Sequence, residues 1–340
     1  EVKKRYRTAP TNGITLTPDY IKEQLFKLLN KQTAKQKNFF DYYNEFIEVN
    51  SATKKINTIK KYKTLANHLH DFEKQRKFKL SFDKLDTKFY EQFTAYYIND
   101  LKRLNNTTGK YMTTLKTFLK WATDRGYNTS TKFLTFKALK EDADIIYLTE
   151  KELMKLYETD LRKNKKLEHI RDTFCFSCFT GMRFSDIVRL RKENIKGEEI
   201  HFTTLKTKDN LIVPLNDYAK EILNKYDFRL PVISNQKTNE YLKELGKMAG
   251  IDEPTLITKY RGAHEIKIKE PKYKFISFHT ARRTFVTLSL EKGMRPEMVM
   301  SNTGHKNYQS MKPYIKITNK VKLVEMKRVW NKETPMLKAV

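Results

Sequence analysis

Six side chains that can act together on a phosphodiester lie in four short segments of the second half of the chain. They are Arg183 in TGMRFSD, Lys206 in LKTKDN, His279 and Arg282 in FHTARRTF, and His305 and Tyr314 in GHKNYQSMKPY. Arginines can fork onto phosphate oxygens and neutralise charge in the transition state. Histidines can donate hydrogen bonds or move protons, a lysine can protonate a leaving oxygen, and a tyrosine can attack phosphorus. Each residue alone has an ordinary structural explanation, and only the set predicts a phosphodiester site.

Such chemistry needs no metal and no cofactor. The chain lacks the G-x-x-x-x-G-K-[ST] loop of an NTPase. Its two cysteines, Cys175 and Cys178, lie in an apolar stretch with a helical pattern, and no second Cys or His pair stands nearby at metal-binding spacing. We therefore predict buried core thiols, no metal site and no cofactor.

The charge of the chain predicts a polyanionic partner. A formal net charge of +28 over 340 residues points to nucleic acid or to an acidic membrane surface. Residues 1–150 hold 29 Lys and Arg against 17 Asp and Glu, and the rest of the chain holds 39 against 23. Since a tethering tail would concentrate its charge in one block, this even distribution favours a clamp with positive surface on two arms around a duplex.

Neither a membrane span nor a signal peptide is predicted. No run of 18 apolar residues occurs, and the opening EVKKRYRTAP has no apolar core. We expect a cytoplasmic protein without a membrane partner. The missing initial Met predicts a processed product or a fragment of a longer chain.

The first half of the chain has helical periodicity. Residues 1–18 are an irregular lead-in with two prolines and a glycine. Apolar residues then recur at helical spacing in TIKKYKTLANHLHDF and in KYMTTLKTFLKWA, which predicts an all-helical domain over residues 19–140. Lysines lie outside the apolar stripes, and they are either DNA contacts or simply solvated: Lys54, Lys55, Lys60, Lys110 and Lys116.

The second half mixes helices with short strands. An acidic linker at 141–147 precedes Thr149 and Glu152, whose spacing is that of a capping box opening a new helix. Helices are predicted to about Arg191, with Arg183 inside the helical pattern. Two β-rich runs around Lys206 to Asn210 then predict a hairpin with lysines at its tip. Helix returns at about Tyr218, and TKYRGAHEIKIKEPKYKFISF predicts another small strand pair.

These motifs, in this order, resemble those of the tyrosine recombinases, or phage integrases. TGMRFSDIVRL is similar to the first arginine box, which makes Arg183 catalytic and Asp186 the acidic residue that supports the site. LKTKDNLIVPL resembles the hairpin of the catalytic lysine, here Lys206. HTARRTF resembles the second box, with His279 and Arg282, and TGH followed nine residues later by tyrosine gives His305 and the nucleophile Tyr314.

Three positions depart from the family pattern or compete with it. Tyr308 is a rival nucleophile, but it stands only three residues after His305. Thr303 occupies a position where leucine is usual. Lys208 follows the Lys-Thr pair where glycine is frequent, which predicts a less flexible hairpin tip and leaves Lys208 as an alternative to Lys206.

The resemblance implies a mainly α fold with a small β-sheet, arranged as a two-domain, C-shaped DNA clamp. Residues 19–140 would form a helical, SAM-like core-binding domain, and residues 148–340 a catalytic domain with a C-terminal helix and tail. It implies a bacterial or phage-encoded, nucleoid-associated enzyme that integrates and excises a mobile element through a 3′-phosphotyrosyl intermediate. Partners would be double-stranded DNA with recombination sites, three further copies in a synaptic tetramer, and accessory DNA-bending or excision proteins.

Two other functions stay open at this point. A type IB topoisomerase uses a similar set of residues but reseals the same strand. A DNA-binding protein with a decayed site would keep the fold without the activity. No N-terminal arm-binding domain of the kind found in many integrases is evident, which is consistent with a truncated chain.

Overall fold

A computed structural model describes residues 37–317, together with residues 17, 18, 21, 22, 25, 326 and 327. Over these residues the fold is mainly helical, with two small β-sheets, as the sequence predicts. The chain divides into two compact units. Unit 1 comprises residues 1–142 and 260–265, and unit 2 comprises residues 143–259 and 266–340.

Between residues 37 and 142, unit 1 is built from helices that surround an aromatic core. The helices are α1 Phe39–Ser51, α2 Ile56–Arg76, α3 Thr87–Ala95, which continues as a π-helical turn at Tyr96–Asp100, and α4 Asn105–Asp124. The apolar residues that show helical spacing in α2 and α4 are buried, as predicted: Ile59, Tyr62, Leu65, Leu69, Phe72, Met112, Leu115, Phe118, Leu119 and Ala122. Burial of these faces, rather than helix propensity, holds such helices in place.

One glycine of unit 1 permits a close backbone approach. Gly109 faces the main chain of Leu139, and a Cβ at position 109 would lie 1.9 Å from the Leu139 oxygen. Nearby, the side-chain amide of Asn105 exchanges two hydrogen bonds with the backbone of Gly262, at 2.7 and 3.0 Å. The start of α4 is thus held by backbone and side-chain contacts as well as by its apolar face.

Unit 2 packs helices around a central α6. Its helices are α5 Glu150–Tyr157, α6 Lys165–Thr180, α7 Phe184–Ile187, α8 Asp217–Lys225, α9 Asn235–Met248, α10 Phe278–Glu291, α11 Pro296–Thr303 and α12 Lys312–Ile317. Most of the side chains of α6 are buried, including Cys175 and Cys178, which are free thiols. This confirms the prediction of core cysteines.

The described residues form two small sheets of hairpin strands. The first lies in unit 2, whereas the tip of the second, residues 260–265, belongs to unit 1. One has the order β1 Ile195–Lys196, β2 Glu199–Thr203, β3 Asn210–Pro214. The other pairs β4 Pro254–Arg261 with β5 His264–Pro271. Both hairpins are predicted by the sequence, although β4 begins earlier than the pattern indicates. In the first sheet His201 pairs with Ile212 and Thr203 with Asn210, so that residues 204–209 form the tip.

Two local predictions have different outcomes. The capping box at the start of α5 is present, since Thr149 accepts from the amide of Glu152 and the Glu152 carboxylate accepts from the amide of Thr149. Arg183 is not inside a helix. It is the N-cap of α7, two residues after Gly181 ends α6 in a left-handed conformation with φ of 71°. Periodicity alone missed this break because one glycine interrupts two helical segments that share an apolar pattern.

Some predictions concern residues that the structure describes in small part or not at all. The lead-in at 1–18, apart from residues 17 and 18, and most of 19–36 lie outside the described residues. So do the C-terminal helix and tail after residue 317, apart from residues 326 and 327. Across the part of the chain that is described, none of the helices combines the length and the apolar character that a membrane span requires.

Candidate active site

The turn between α6 and α7 carries the first arginine. Gly181 is required there for two reasons: its φ is positive, and a Cβ would lie 2.5 Å from Cδ1 of Phe285 and 2.9 Å from Cγ2 of Thr303. The tight turn brings Arg183 to the surface of the unit 2 core. Its side chain is 20 % exposed.

Arg183 has hydrogen-bonding capacity that the protein does not use. Its Nη1 is buried without a hydrogen-bond partner, and the Asp186 Oδ2 atom lies 3.9 Å from it, beyond hydrogen-bonding distance. A buried cationic N–H group without a partner costs free energy unless an anion supplies the missing acceptor. This arginine is therefore prepared to receive an anionic ligand.

Asp186 connects the arginine turn to the lysine hairpin. Its side chain is 2 % exposed, and Oδ1 accepts a 2.9 Å hydrogen bond from the amide of Leu205. Leu205 directly precedes Lys206 at the hairpin tip. The carboxylate thus fixes where the lysine emerges, which gives a physical basis for the supporting role that the sequence assigns to Asp186.

The hairpin tip is closed by its own hydrogen bonds. The amide of Lys208 donates to the Thr204 oxygen at 3.0 Å, the amide of Thr204 donates to the Asp209 oxygen at 2.9 Å, and the hydroxyls of Thr204 and Thr207 lie 2.7 Å apart. Lys206 is exposed. Lys208 has φ of 58°, the left-handed conformation that glycine adopts without strain. This backbone geometry explains why a glycine suits that position.

Helix α10 supplies Arg282 from the core side. Arg282 is 3 % exposed and donates to the Gly181 oxygen at 2.8 Å and to the Thr303 oxygen. Burial, followed by the nearby charge of Arg183, lowers the pKa of Arg282 to about 9, so the guanidinium remains charged at neutral pH. It joins the arginine turn to the end of α11 while facing the same site as Arg183.

His279 lies at the start of α10 among several cations. Packing of protein atoms around the ring, followed by the charges of Arg283, Arg282, Arg183 and Lys206, lowers the pKa of His279 to about 4. The cations lower the pKa in the same direction as burial, and they can do so only because they lie close to the ring. His279 is therefore neutral at physiological pH until an anion offsets the positive charge.

Arg283 is a third arginine that the sequence analysis did not single out. It follows His279 by one helical turn, and its charge is the largest electrostatic influence on that histidine. Its Nε atom is buried without a hydrogen-bond partner. The paired arginines of the segment ARRT, with the second four residues after the histidine, are the signal that would have identified it.

His305 follows the end of α11 and is half-buried. Its Nδ1 atom lies 2.7 Å from the Thr303 hydroxyl. Burial, followed by the charges of Arg282, Arg183 and His279, lowers the pKa of His305 to about 4. The two histidines and the two arginines therefore act on one another electrostatically, as expected for residues of one site.

The two candidate nucleophiles differ sharply in exposure. Tyr314 lies on α12 and is 8 % exposed, packed in a hydrophobic cluster with Phe285, Val286 and Met311. Its phenol is close enough to Arg282 to influence the pKa of that arginine. Tyr308 is 53 % exposed on a separate 3₁₀ turn. The structure thus places Tyr314, the less exposed of the two, beside the arginine site.

The lysines of unit 1 divide into two groups. Four are exposed on α2, just before it, or on α4: Lys54, Lys55, Lys60 and Lys110. The fifth, Lys116, uses its ammonium group to donate to the main-chain oxygens of Leu134 and Phe136, at 3.0 and 2.7 Å. These bonds give Lys116 a structural role that the sequence pattern did not reveal.

As for metal ligands, the described part of the chain holds no group of three or more His, Cys, Asp or Glu side chains placed to bind an ion. Arginine, lysine and histidine side chains dominate the site, and Asp186 is the carboxylate that contacts it most directly. Such a set is suited to binding one phosphate group and moving protons around it.

Two family models match this chain. Residues 147–320 match the model described as the phage integrase family, and residues 38–138 match the phage integrase SAM-like domain. Among curated proteins, a tyrosine recombinase of Pseudothermotoga lettingae is 28 % identical over 182 residues, which cover 52 % of this chain and 58 % of that protein. Tyrosine recombinase XerD of Staphylococcus epidermidis is 25 % identical over 285 residues, which cover 81 % of this chain and 92 % of XerD.

Solved structures share the fold at low sequence identity. A lambda integrase fragment dimer bound to a COC′ core site has a TM-score of 0.63 at 17 % identity, covering 82 % of this chain and 95 % of the fragment. A lambda integrase tetramer bound to a Holliday junction has a TM-score of 0.62 at 16 % identity, and the match covers 91 % of this chain and 84 % of the integrase chain. A Tn1549 transposon integrase in complex with circular intermediate DNA has a TM-score of 0.59 at 16 % identity, and the match covers 82 % of this chain and 94 % of the integrase chain.

Proposed function

Because this chain belongs to the phage integrase family, as a tyrosine recombinase of the integrase type, we propose that it cleaves and rejoins DNA strands through Tyr314. The enzyme is a site-specific DNA recombinase. In the proposed step the Tyr314 oxygen attacks a scissile phosphate, a bond forms between the phenol oxygen and phosphorus, and the bond from phosphorus to the 5′-oxygen breaks. The products are a 3′-phosphotyrosyl linkage and a free 5′-hydroxyl.

The rejoining step reverses the first with a different strand. The 5′-hydroxyl of the partner strand attacks the phosphotyrosyl linkage and releases Tyr314. One phosphodiester is exchanged for another of the same type, so no ATP is consumed.

One observation carries the proposal: several cationic and proton-moving side chains converge on one site, where together they suit a phosphate group. Arg183 has a buried Nη1 atom without an acceptor, and both histidines have lowered pKa values because of burial and of the same two arginines. A phosphate between them would accept the unused hydrogen bonds and offset the repulsion among the cations. The repulsion among these groups and the unused donor of Arg183 therefore favour binding of an anionic substrate.

Each residue then has a role in the proposed reaction. Arg183 and Arg282 contact the non-bridging oxygens, and Arg283 extends this positive surface toward a neighbouring phosphate. Lys206 protonates the departing 5′-oxygen, and His279 and His305 hold or move protons at the phosphate.

The nucleophile is tested by trapping the covalent intermediate. Tyr314→Phe removes one oxygen and keeps the ring that packs against Phe285 and Met311, so folding and DNA binding should survive while the covalent adduct disappears. Tyr308→Phe is the matched control, since it removes the exposed phenol. An adduct that persists in Tyr314→Phe and vanishes in Tyr308→Phe would reassign the nucleophile to Tyr308.

Unit 1 is proposed to bind the DNA backbone. Lys54, Lys55, Lys60 and Lys110 are exposed, and the matching family model for residues 38–138 is a domain of phage integrases. We leave Lys116 out of this set because its ammonium is bonded to two main-chain oxygens. The functional division into a core-binding domain at 19–140, a linker at 141–147 and a catalytic domain at 148–340 is part of the same proposal.

The assembly and biological setting are proposed from the relatives. The lambda integrase, whose fold this chain shares, occurs as a tetramer on a Holliday junction, which supports a homo-tetramer on two synapsed sites. The similarity to the Tn1549 transposon integrase supports integration and excision of a mobile element. Accessory DNA-bending or excision proteins and association with the bacterial nucleoid complete the proposal.

A further inference from the structure

The residue that precedes the Gly-His pair makes a contact that a leucine could not make. Thr303 is fully buried at the end of α11, and its Oγ1 atom lies 2.7 Å from Nδ1 of His305. The position is also fixed from its main-chain side, because the Thr303 oxygen accepts from the Arg282 guanidinium. Thr303 therefore touches two residues of the proposed site.

The direction of the hydrogen bond to His305 follows from counting protons. A hydroxyl has a single hydrogen to donate. The Thr303 hydroxyl donates it to the Val299 oxygen, one helical turn back, at 2.5 Å. The oxygen can then meet the imidazole only as an acceptor, so the hydrogen between Thr303 and His305 must belong to Nδ1.

The ring is held in place by its backbone as well. The amide of His305 donates to the Met300 oxygen at 3.1 Å. Gly304, which directly precedes His305, adopts φ of 63° and lies against the Leu211 side chain. With the backbone fixed and Nδ1 bonded to a buried hydroxyl, the other nitrogen, Nε2, is the one directed away from Thr303.

We infer that Thr303 is a positioning residue that sets the tautomer of His305, keeping the hydrogen on Nδ1 and leaving Nε2, on the other side of the ring, as a proton acceptor. The partner of one imidazole nitrogen decides which nitrogen carries the hydrogen. A neutral imidazole without such a partner favours the opposite tautomer, with the hydrogen on Nε2. The hydroxyl therefore reverses the intrinsic preference of the ring.

The consequence for the reaction rests on the proposed function. With Nε2 free, neutral His305 can take a proton from a hydroxyl at the scissile phosphate, either the Tyr314 phenol or an attacking 5′-hydroxyl, and return it when the step reverses. Donation from Nε2 to a phosphate oxygen needs a second proton on the ring. A leucine at position 303 would leave Nδ1 without this acceptor.

Two substitutions separate the hydroxyl from the packing of Thr303. Thr303→Val keeps the shape of the side chain, including the methyl group next to Gly181, and removes only the hydroxyl. Thr303→Ser keeps the hydroxyl and removes the methyl group. If Thr303 acts through His305, Ser should behave like Thr and Val should not; if it acts through packing alone, Val should behave like Thr.

The primary measurement is the tautomer itself, read from the ring ¹⁵N shifts of the full-length protein labelled at histidine, at pH 8 and without DNA. The chain has seven histidines, and the His305 signals are assigned by their loss in His305→Gln. We expect a protonated Nδ1 and an unprotonated Nε2 in the wild type and in Thr303→Ser, and the reverse in Thr303→Val. A wild-type ring protonated on Nε2, or an unchanged tautomer in Thr303→Val, overturns the inference.

The second measurement is the single-turnover rate of cleavage with a substrate whose nicked strand prevents rejoining. Thr303→Val should slow cleavage by about tenfold, the factor that corresponds to one hydrogen bond of ordinary strength, and Thr303→Ser should restore most of the rate. Equal rates in wild type and Thr303→Val overturn the catalytic consequence. Because the tautomer is measured without DNA, failure of the proposed recombinase activity would leave that result standing and is detected separately by the Tyr314 adduct.

Discussion

The two arginines of the site are bonded to the protein to very different extents. Arg282 donates to the main-chain oxygens of Gly181 and Thr303, whereas Arg183 has a buried Nη1 atom with no acceptor. Arg282 therefore holds the site together as well as facing it, and Arg183 has more unused capacity for the phosphate. Loss of Arg282 should damage folding and chemistry together, while loss of Arg183 should act mainly on chemistry.

At the same scale, Lys206 is predicted to be the general acid. An alkoxide leaving group has a conjugate-acid pKa far above neutral, so a proton from a placed side chain contributes about 10² to 10⁴ in rate. Lys206→Ala should lower the cleavage rate by a factor in this range on a substrate with the ordinary bridging oxygen. The loss should largely disappear when sulfur replaces the bridging 5′-oxygen, because a thiolate leaves without a proton. Single-turnover cleavage of both substrates measures this.

Lys208→Ala is the control for Lys206, since Lys208 is also exposed at the hairpin tip. Lys208→Ala should lower the cleavage rate modestly on both substrates. If the sulfur-containing substrate fails to restore the cleavage rate of Lys206→Ala, then Lys206 is a binding contact. If sulfur restores Lys208→Ala instead, then Lys208 is the acid.

At the scale of elements, the β2–β3 hairpin is held on both sides. The Asp186 carboxylate accepts from the amide of Leu205 at one side of the tip. At the other side, Lys306 and Asp209 form a 2.6 Å ion pair, and Gly304 packs against Leu211. The hairpin that carries the proposed acid is therefore positioned by contacts with the arginine turn and with the loop of His305.

The α6–α7 turn gives a prediction about stability. Gly181→Ala adds a side chain in a left-handed conformation, which costs about 1–2 kcal/mol, and it also forces Phe285 and Thr303 to move, which costs about 1–3 kcal/mol more. We expect a loss of about 2–5 kcal/mol in the free energy of unfolding, measured by urea denaturation.

Gly250→Ala is the matched control for that substitution. Gly250 has φ of 64°, but a Cβ there would meet no atom within 4 Å. Gly250→Ala should therefore lower the free energy of unfolding only by the conformational cost, about 1–2 kcal/mol. Equal losses at the two positions would mean that the contacts with Phe285 and Thr303 carry no energetic weight.

At the scale of the whole molecule, the net charge of +28 predicts DNA binding with a steep salt dependence. Each phosphate contact contributes about −0.9 to the slope of log affinity against log salt concentration. Lys60→Glu in unit 1 and Lys208→Glu in unit 2 should each remove about one phosphate contact and make the slope shallower by about 0.9. The effect should be similar on specific and nonspecific DNA. Fluorescence anisotropy over a range of salt concentrations measures the slopes.

The control for the salt experiment is Lys84→Glu, a reversal of equal charge at an exposed lysine that the proposal leaves out. It should change the slope less than either test variant. A slope that responds to substitutions in one unit alone would contradict the prediction that both units contact DNA.

The sequence by itself determined the fold class, the helical faces and the choice of candidate residues for the site. Apolar periodicity is a local property, and it located α2 and α4 because burial of one face is what stabilises such helices. The motifs TGMR, HTARR and TGH are short, so the candidate residues could be chosen without knowing how they meet. The Thr149 capping box and the β2–β3 hairpin are likewise made by neighbours in the chain.

Only the tertiary structure decided the partners and the surroundings of those residues. Arg282 bonds to the Gly181 oxygen, 101 positions away, and Lys116 is occupied by main-chain oxygens at positions 134 and 136. The burial of Tyr314 and the unused Nη1 of Arg183 also depend on packing between elements that are distant in sequence. Such contacts are set by how several elements fill the same space, and a local pattern carries no information about which atoms remain without a partner.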